Sequence, residues 1–242
     1  MSMSALSVQN VSYRYGPKLA LDNVSFDLES GRFCALLGPN GAGKSTLFSL
    51  LTRLFVTRQG TISIAGYDLA KNPRAALAKI GVVFQQPTLD LDMTVARNLS
   101  YFAALQGLSG ASAQKSIDAA LDRLDMRERA HEKARALNGG HRRRMEIARA
   151  LIHDPEVLLL DEATVGLDTG SRRAITAHVH DLADSGLLVF WATHLVDEIR
   201  DRDHVVVLHE GRVLVEDSAK AIAGNGQLID AFIAMTGKED TR

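Results

Sequence analysis

The sequence predicts an α/β fold built on a mostly parallel sheet. Three observations carry this: aliphatic runs of strand length without polar interruption, amphipathic stretches of helical period between them, and a glycine-rich turn joining one such run to a helix. Of the 242 residues, 46% are hydrophobic and 24% charged, so the chain can bury enough apolar surface to order itself, and disorder is excluded. The length suits one large domain or two small ones.

The first third reads as strands. Leu6 to Val11 alternates, Leu21 to Leu28 alternates Leu, Val, Phe and Leu with polar residues, and Phe33 to Leu37 is a continuous apolar run. A helix is expected from Lys44 to about Leu54, then short strands at Gly60 to Ile64 and Val82 to Phe84. From about Thr94 to Arg149 the pattern turns helical: Val95, Leu99, Phe102 and Leu105 recur at helical spacing, as do Ile117, Leu121 and Leu124. Pro87 and Gly107 to Gly110 punctuate this segment, which reads as a helical insertion, about 90–149, in the α/β core. The core resumes with a strand at Val157 to Leu160, a helix over Ser171 to Ala183, a strand at Leu188 to Trp191 and a short helix near Val196 to Arg200. Glu210-Gly211 between Val205–Leu208 and Arg212–Val215 signals a hairpin, and Gln227 to Met235 an amphipathic helix.

Charge and composition remove several function classes. Lys plus Arg is 28 against 29 for Asp plus Glu, so a general polyanion binder is not expected and nucleic acid is not expected as a partner. Arg142-Arg143-Arg144 is read as a solvated helix face or a partner interface. The longest apolar run, Leu187 to Ala192, has six residues, far short of the roughly 20 needed to span a bilayer. Met1 to Asn10 carries no basic segment followed by an apolar one, so no secretory signal is expected. The single cysteine, Cys34, cannot form an internal disulfide, which fits the cytoplasm.

The segment Gly38-Pro39-Asn40-Gly41-Ala42-Gly43-Lys44-Ser45 fits the phosphate-loop pattern. Glycines let backbone N–H groups wrap phosphates, and the helix that follows points its positive end at the anion. Lys44 is expected to place a charge between the β- and γ-phosphates, and Ser45 to offer its hydroxyl to Mg²⁺. A dinucleotide-binding loop is disfavoured, since Thr46 stands where its third glycine belongs. Val157 to Leu160 runs into Asp161-Glu162, at the strand end where open α/β sheets bind ligands. Asp161 is expected to hold Mg²⁺ through water, and Glu162 to act as general base on the attacking water. In isolation the pair also fits a solvated strand end. His194, after the strand Leu188 to Trp191, is placed to hydrogen-bond the γ-phosphate and orient water, although a lone histidine after a strand is more often structural.

Together these motifs resemble, from end to end and in order, the ATP-binding subunit of ABC transporters: a phosphate loop over Gly38 to Thr46, a glutamine loop at Gln85, a signature segment at Leu137-Asn138-Gly139-Gly140-His141, the acid pair Asp161-Glu162, an aspartate loop at Gly166-Leu167-Asp168 and the switch histidine His194. Gln85 is preferred to Gln86 because it directly follows the predicted strand, and Tyr15 matches the residue that stacks on adenine, with Tyr13 its rival. The resemblance implies a P-loop ATPase core with an N-terminal antiparallel β part and an inserted helical subdomain, forming one ATP-binding domain over 1–242. It implies ATP and Mg²⁺ as cofactors, with Gln85 joining Ser45 and Asp161 at the metal. Two such subunits, a homodimer being expected, would close head to tail, each site combining one phosphate loop with the other subunit's Asn138, Gly139 and Gly140, and with Asp168 at the junction. A second anion site at Gly139-Gly140 makes such sharing economical, although an ordinary helix start, and for Asp168 an ordinary helix-terminal acid, fit the same residues. The helical insertion would dock on an integral membrane permease, placing the chain at the inner face of the plasma membrane.

Gly81 to Leu89 and the short tail are most similar to multidrug- and nodulation-type exporter subunits, and Trp191-Ala192-Thr193-His194-Leu195 is similar to a subset associated with quinoprotein alcohol oxidation. A non-transport ABC ATPase, such as an iron–sulfur assembly ATPase, is the alternative. The signature departs from the family's Leu-Ser-Gly-Gly-Gln: Asn138 replaces Ser and His141, expected to titrate near physiological pH if exposed, replaces Gln. Val165 stands where a small polar residue is common. These departures suggest weaker ATP-driven closure, while Lys44, Asp161, Glu162 and His194 keep the means of hydrolysis.

Overall fold

The computed structural model describes residues 4–237; positions 1–3 and 238–242 of the expected domain lie outside the described residues. Strands β1 (Ser4–Tyr15) and β2 (Lys18–Glu29) form a long antiparallel hairpin. After β3 (Phe33–Leu37) and α1 (Lys44–Leu51), β4 (Gln59–Ile64) pairs antiparallel with β1, and β5 (Tyr67–Asp68) closes that sheet in the order β2-β1-β4-β5. Next come α2 (Pro73–Leu77) and β6 (Ile80–Val83). The helical region holds α3 (Val95–Leu105), α4 (Gly110–Arg123) and α5 (Gly139–Leu151). Strand β7 (Val157–Asp161), α6 (Thr169–Asp184), β8 (Leu188–Thr193), β9 (His204–His209), β10 (Arg212–Ser218), α7 (Ala219–Ala223) and α8 (Leu228–Thr236) complete the described chain. The second sheet runs β10-β9-β3-β8-β7-β6, parallel except for the β10 edge.

Each central strand divides its side chains between two cores. Cys34 and Leu36 join Phe190, Ala192 and α1 residues Leu47, Phe48 and Leu51 beneath the antiparallel sheet. Phe33, Ala35 and Leu37 join Leu158, Leu160, Trp191 and the helices on the other face. Covering both faces is why these strands read as unbroken apolar runs. The register sets the working edge: Leu37 lies opposite Thr193, Asp161 opposite Ala192 and Val83 opposite Leu160, so the segments after β3, β6, β7 and β8 emerge together.

Some expectations shift. Helix α1 ends at Leu51 and not Leu54, because Thr52 caps it and Arg53 turns left-handed at φ 57°. The strand expected at Val82 to Phe84 is Ile80–Val83, and the Phe84 carbonyl leaves the ladder to accept a bond from Arg143. Helix α5 extends beyond the expected insertion boundary at 149 and lies against β6, where a Cβ on Gly81 would meet the Ala150 carbonyl at 2.4 Å.

Candidate functional site

The turn between β3 and α1 depends on its glycines. A Cβ at Gly38 would sit 2.4 Å from the Leu208 carbonyl oxygen; Gly43 has φ 113°, and its Cβ would meet the Ala20 carbonyl oxygen at 2.9 Å. The Lys44 side chain lies back across the turn, its Nζ donating to the carbonyls of Gly38 at 2.5 Å and Pro39 at 3.3 Å. A cavity of about 400 Å³ opens over the turn, lined by Pro39 to Thr46 together with Tyr15, Lys18, Glu162, Glu210 and Gly211 among others. Of the rival tyrosines, Tyr15 lines this cavity, is 44% exposed and shares a hydrogen bond of 3.3 Å with Thr46 Oγ1. Tyr13 is stacked on Phe55 with ring centroids 5.5 Å apart.

Three strand ends converge on Glu162. Its backbone is left-handed, φ 46°, and its N–H donates to the Ala192 carbonyl at 2.9 Å, which turns the chain sharply off β7. Gln85 Nε2 donates to Glu162 Oε2 at 3.0 Å, so contact and not adjacency to the strand distinguishes Gln85 from Gln86. His194 Nδ1 lies 3.4 Å from Glu162 Oε1 but makes no hydrogen bond. Burial pushes the Asp161 carboxyl pKa up, the Glu162 charge adds to this, and the Lys44 ammonium opposes it.

Among the described residues, no group of three His, Cys, Asp or Glu side chains is arranged to hold a metal unaided. The Ser45 hydroxyl, the Asp161 carboxylate and the Gln85 amide oxygen are hard oxygen donors. That set suits Mg²⁺ shared with phosphates, because Mg²⁺ keeps waters and needs only one or two carboxylates. Burial dominates the rise in the Asp161 pKa, and the Glu162 charge that adds to it is one a cation would offset.

The signature residues lie outside this cavity. Asn138 is the N-cap of α5, its Oδ1 accepting from His141 N at 2.8 Å. Asp168 caps α6, accepting from the Ser171 N–H at 2.9 Å and the Ser171 hydroxyl at 2.7 Å, which holds its carboxyl below the usual range. The two helix starts touch: a Cβ on Gly140 would sit 2.5 Å from Ser171 Oγ, and one on Gly139 3.1 Å from Leu167 Cδ2. Partial burial, with Arg129 and Arg144 nearby and only Glu132 opposing, pushes the His141 pKa down from that of an exposed imidazole.

Sequence reasoning missed two parts. The Glu210-Gly211 turn was legible only as a hairpin, yet it props the phosphate turn through Gly211 N–H to the Ala42 carbonyl, 2.9 Å. The arginine triplet is not simply a solvated face. Arg143 is 5% exposed and donates to Phe84 O (2.7 Å), Gln85 O (2.8 Å) and Glu146 Oε2 (2.8 Å). Glu146 Oε1 accepts from Thr88 N at 2.8 Å, while Arg149 grips the Thr88 carbonyl and hydroxyl and stacks over Phe102 at 4.1 Å. The alternating charges at three-residue spacing, Arg143, Glu146 and Arg149, were the signal.

Known proteins resemble this chain in both sequence and fold. A family model described as ABC transporter matches residues 21–165. The Nod factor export ATP-binding protein I of Burkholderia orbicola (strain AU 1054) is 37% identical over 223 residues, 92% of this chain and 73% of that protein. The linearmycin resistance ATP-binding protein LnrL of Bacillus subtilis (strain 168) is 35% identical over 210 residues, 86% and 68% of the two chains. The structure of cbiO1 from Clostridium perfringens, part of the ABC transporter complex cbiONQ, aligns with a TM-score of 0.84 and 28% identity over 96% of this chain and 95% of that one. An ATP-binding cassette of an ABC transporter in its ADP conformation aligns with a TM-score of 0.83 and 25% identity, over 96% and 99%.

Proposed function

Because the chain belongs to the ABC transporter family as an ATP-binding, ATP-hydrolysing subunit, we propose that two copies close head to tail around two ATP molecules and drive export through a separate membrane permease. The observation that carries this reading is the separation of two anion-binding features. The phosphate turn and Glu162 share one cavity, while the capped start of α5 stands outside it. That separation suits a site completed by a second copy.

In this reading the backbone N–H groups of Gly38 to Thr46 hold the phosphates, and Lys44 exchanges the Gly38 and Pro39 carbonyls for the β- and γ-phosphate oxygens. Tyr15 supports the base. Ser45, Asp161 and Gln85 would hold Mg²⁺, which would supply neutralisation of phosphate charge. Glu162 takes the proton of the attacking water, and His194, beside it, orients that water against the γ-phosphate. Asn138, Gly139 and Gly140 contact the partner's nucleotide, and Asp168 shapes the junction between copies. Loss of the γ-phosphate removes these contacts and opens the pair.

Export is supported by the relatives named for Nod factor export and linearmycin resistance. Among the described residues no helix is long and apolar enough to cross a membrane, so attachment at the inner face falls to the permease. The helical insertion, with Tyr101 and Leu105 exposed on α3, offers the docking surface. The test is Glu162→Gln, which should bind ATP, lose about 10²- to 10⁴-fold in turnover and accumulate as an ATP-dependent dimer on a sizing column. Hydrolysis at the wild-type rate removes Glu162 from the mechanism. Co-purification of a protein with several membrane spans tests the transport reading.

A further inference from the structure

Just beyond His194 the chain makes a single tight turn, Val196–Glu198, that buries a carboxylate: Glu198 is 2% exposed. Its two oxygens are taken by hydroxyls from two different loops. Thr164, two residues beyond Glu162, donates to Oε1. Thr193, immediately before His194, donates to Oε2 at 2.6 Å. Both threonines are themselves 2% exposed. Thr193 Oγ1 also accepts from the Leu195 N–H at 3.0 Å, so the residues on either side of His194 are tied to the same hydroxyl. Outside this bracket, Asp197 pairs with Arg172 of α6 at 3.3 Å, anchoring the turn to the helix beneath.

A buried carboxylate is a costly way to fill space. Two neutral hydroxyls compensate its desolvation only in part, as the burial-driven rise in the Glu198 pKa reflects. What the arrangement provides is geometry, since one rigid group with two acceptors fixes two loops relative to each other. Those loops carry Glu162 and His194, whose side chains approach to 3.4 Å without being hydrogen-bonded to each other. Their approach therefore depends on the backbones that present them, with Gln85 also holding the Glu162 carboxylate.

We propose that Glu198 is a positioning residue for hydrolysis, pinning the Glu162 loop to the His194 loop through Thr164 and Thr193. This rests on the reading of Glu162 and His194 as the hydrolytic pair. Glu198 does not line the phosphate cavity, so its effect falls on turnover and not on nucleotide affinity.

The test uses near-isosteric variants of the purified chain. Thr193→Val and Thr164→Val each remove one hydroxyl, with an expected fall in kcat of about tenfold, the effect of one hydrogen bond acting on loop placement. KM for ATP and affinity for a fluorescent ATP analogue should stay within about twofold, because no phosphate contact changes. Thr193→Ser, which keeps the hydroxyl, should restore wild-type kcat. Glu198→Ala should lower kcat further. In a His194→Ala background it should have a smaller effect, since part of its action runs through His194. Wild-type kcat in both valine variants overturns the proposal. So does a parallel change in kcat, KM and melting temperature that serine does not rescue, which marks a role in folding alone. The underlying reading fails separately: if Glu162→Gln hydrolyses ATP at the wild-type rate, the pair itself is wrong, whereas an inactive Glu162→Gln beside normal valine variants sinks only Glu198.

Discussion

Replacing Asn138 separates what this position does for the fold from what it does for the nucleotide. Its Oδ1 caps α5 through the His141 N–H at 2.8 Å. Serine caps a helix about as well as asparagine, so Asn138→Ser should leave stability within a few tenths of a kcal/mol, whereas Asn138→Ala should cost about 1 kcal/mol. With the cap made, asparagine has its NH₂ left to offer the partner's γ-phosphate and serine its hydroxyl proton, on a shorter arm. If the longer amide fits less well, the loss is of the order of one hydrogen bond, about 1 kcal/mol. That corresponds to a factor of about five in the ATP concentration that closes the dimer. Urea unfolding curves and ATPase rate against ATP concentration, measured on both variants, check this. Asn138→Ser should unfold with the wild type, reach half-maximal rate at about fivefold lower ATP and show higher activity at low ATP. Unchanged or lower activity with unchanged stability refutes the weakened-closure argument. An Asn138→Ala variant as stable as the wild type refutes the cap.

Three other outcomes are expected. Arg143→Met leaves the buried Glu146 with only the Thr88 N–H and the more distant Arg149 charge to compensate it and should cost up to about 3–5 kcal/mol, seen as a lower urea midpoint at similar slope; an unmoved midpoint contradicts it. Gly43→Ala forces a side chain into φ 113° and against the Ala20 carbonyl, so a fluorescent ATP analogue should bind about five- to 150-fold more weakly, by strain of about 1–3 kcal/mol; wild-type affinity would show that the turn accommodates a Cβ. The Asp161 pKa is raised on folding, so its contribution is fully present below about 3.9, the unfolded value, and is lost as pH rises through the folded value. Above that, ionised Asp161 weakens the nucleotide-free chain. Asp161→Asn should therefore melt higher than the wild type at pH 7, with the gap closing towards pH 4, and should lose ATPase activity; a lower melting temperature at pH 7 reverses the sign and refutes the argument.

The sheet and the phosphate turn were legible because their signals are local. Phe33 to Leu37, Val157 to Leu160 and Leu188 to Trp191 carry apolar runs that only doubly covered strands need, and the glycine spacing at 38, 41 and 43 is a backbone requirement written directly in residue type. Strand β5 and helices α2 and α7 are too short to show a period and were missed. Arg143 was misread because three adjacent like charges suggest solvent, whereas a helix turns neighbours through 100° and here delivers the middle one to buried carbonyls. The Glu210-Gly211 turn and Glu198 gain their meaning only from what folding brings beside them, through bonds to residues far away in the chain.

The Arg143, Glu146 and Arg149 network ties helix α5 and the segment Phe84–Thr88 into a single crank-shaped unit. One end of that unit is the start of α5, which the proposed head-to-tail pairing would turn towards the neighbour's triphosphate; the other carries Gln85 against this chain's own Glu162. Turning the helix alone would break the hydrogen bonds from its charged side chains to Phe84, Gln85 and Thr88 together, so the two are expected to shift as one. On the proposed pairing, a shift at one nucleotide would reach the other through this unit, and Arg149 over the Phe102 ring ties it to α3.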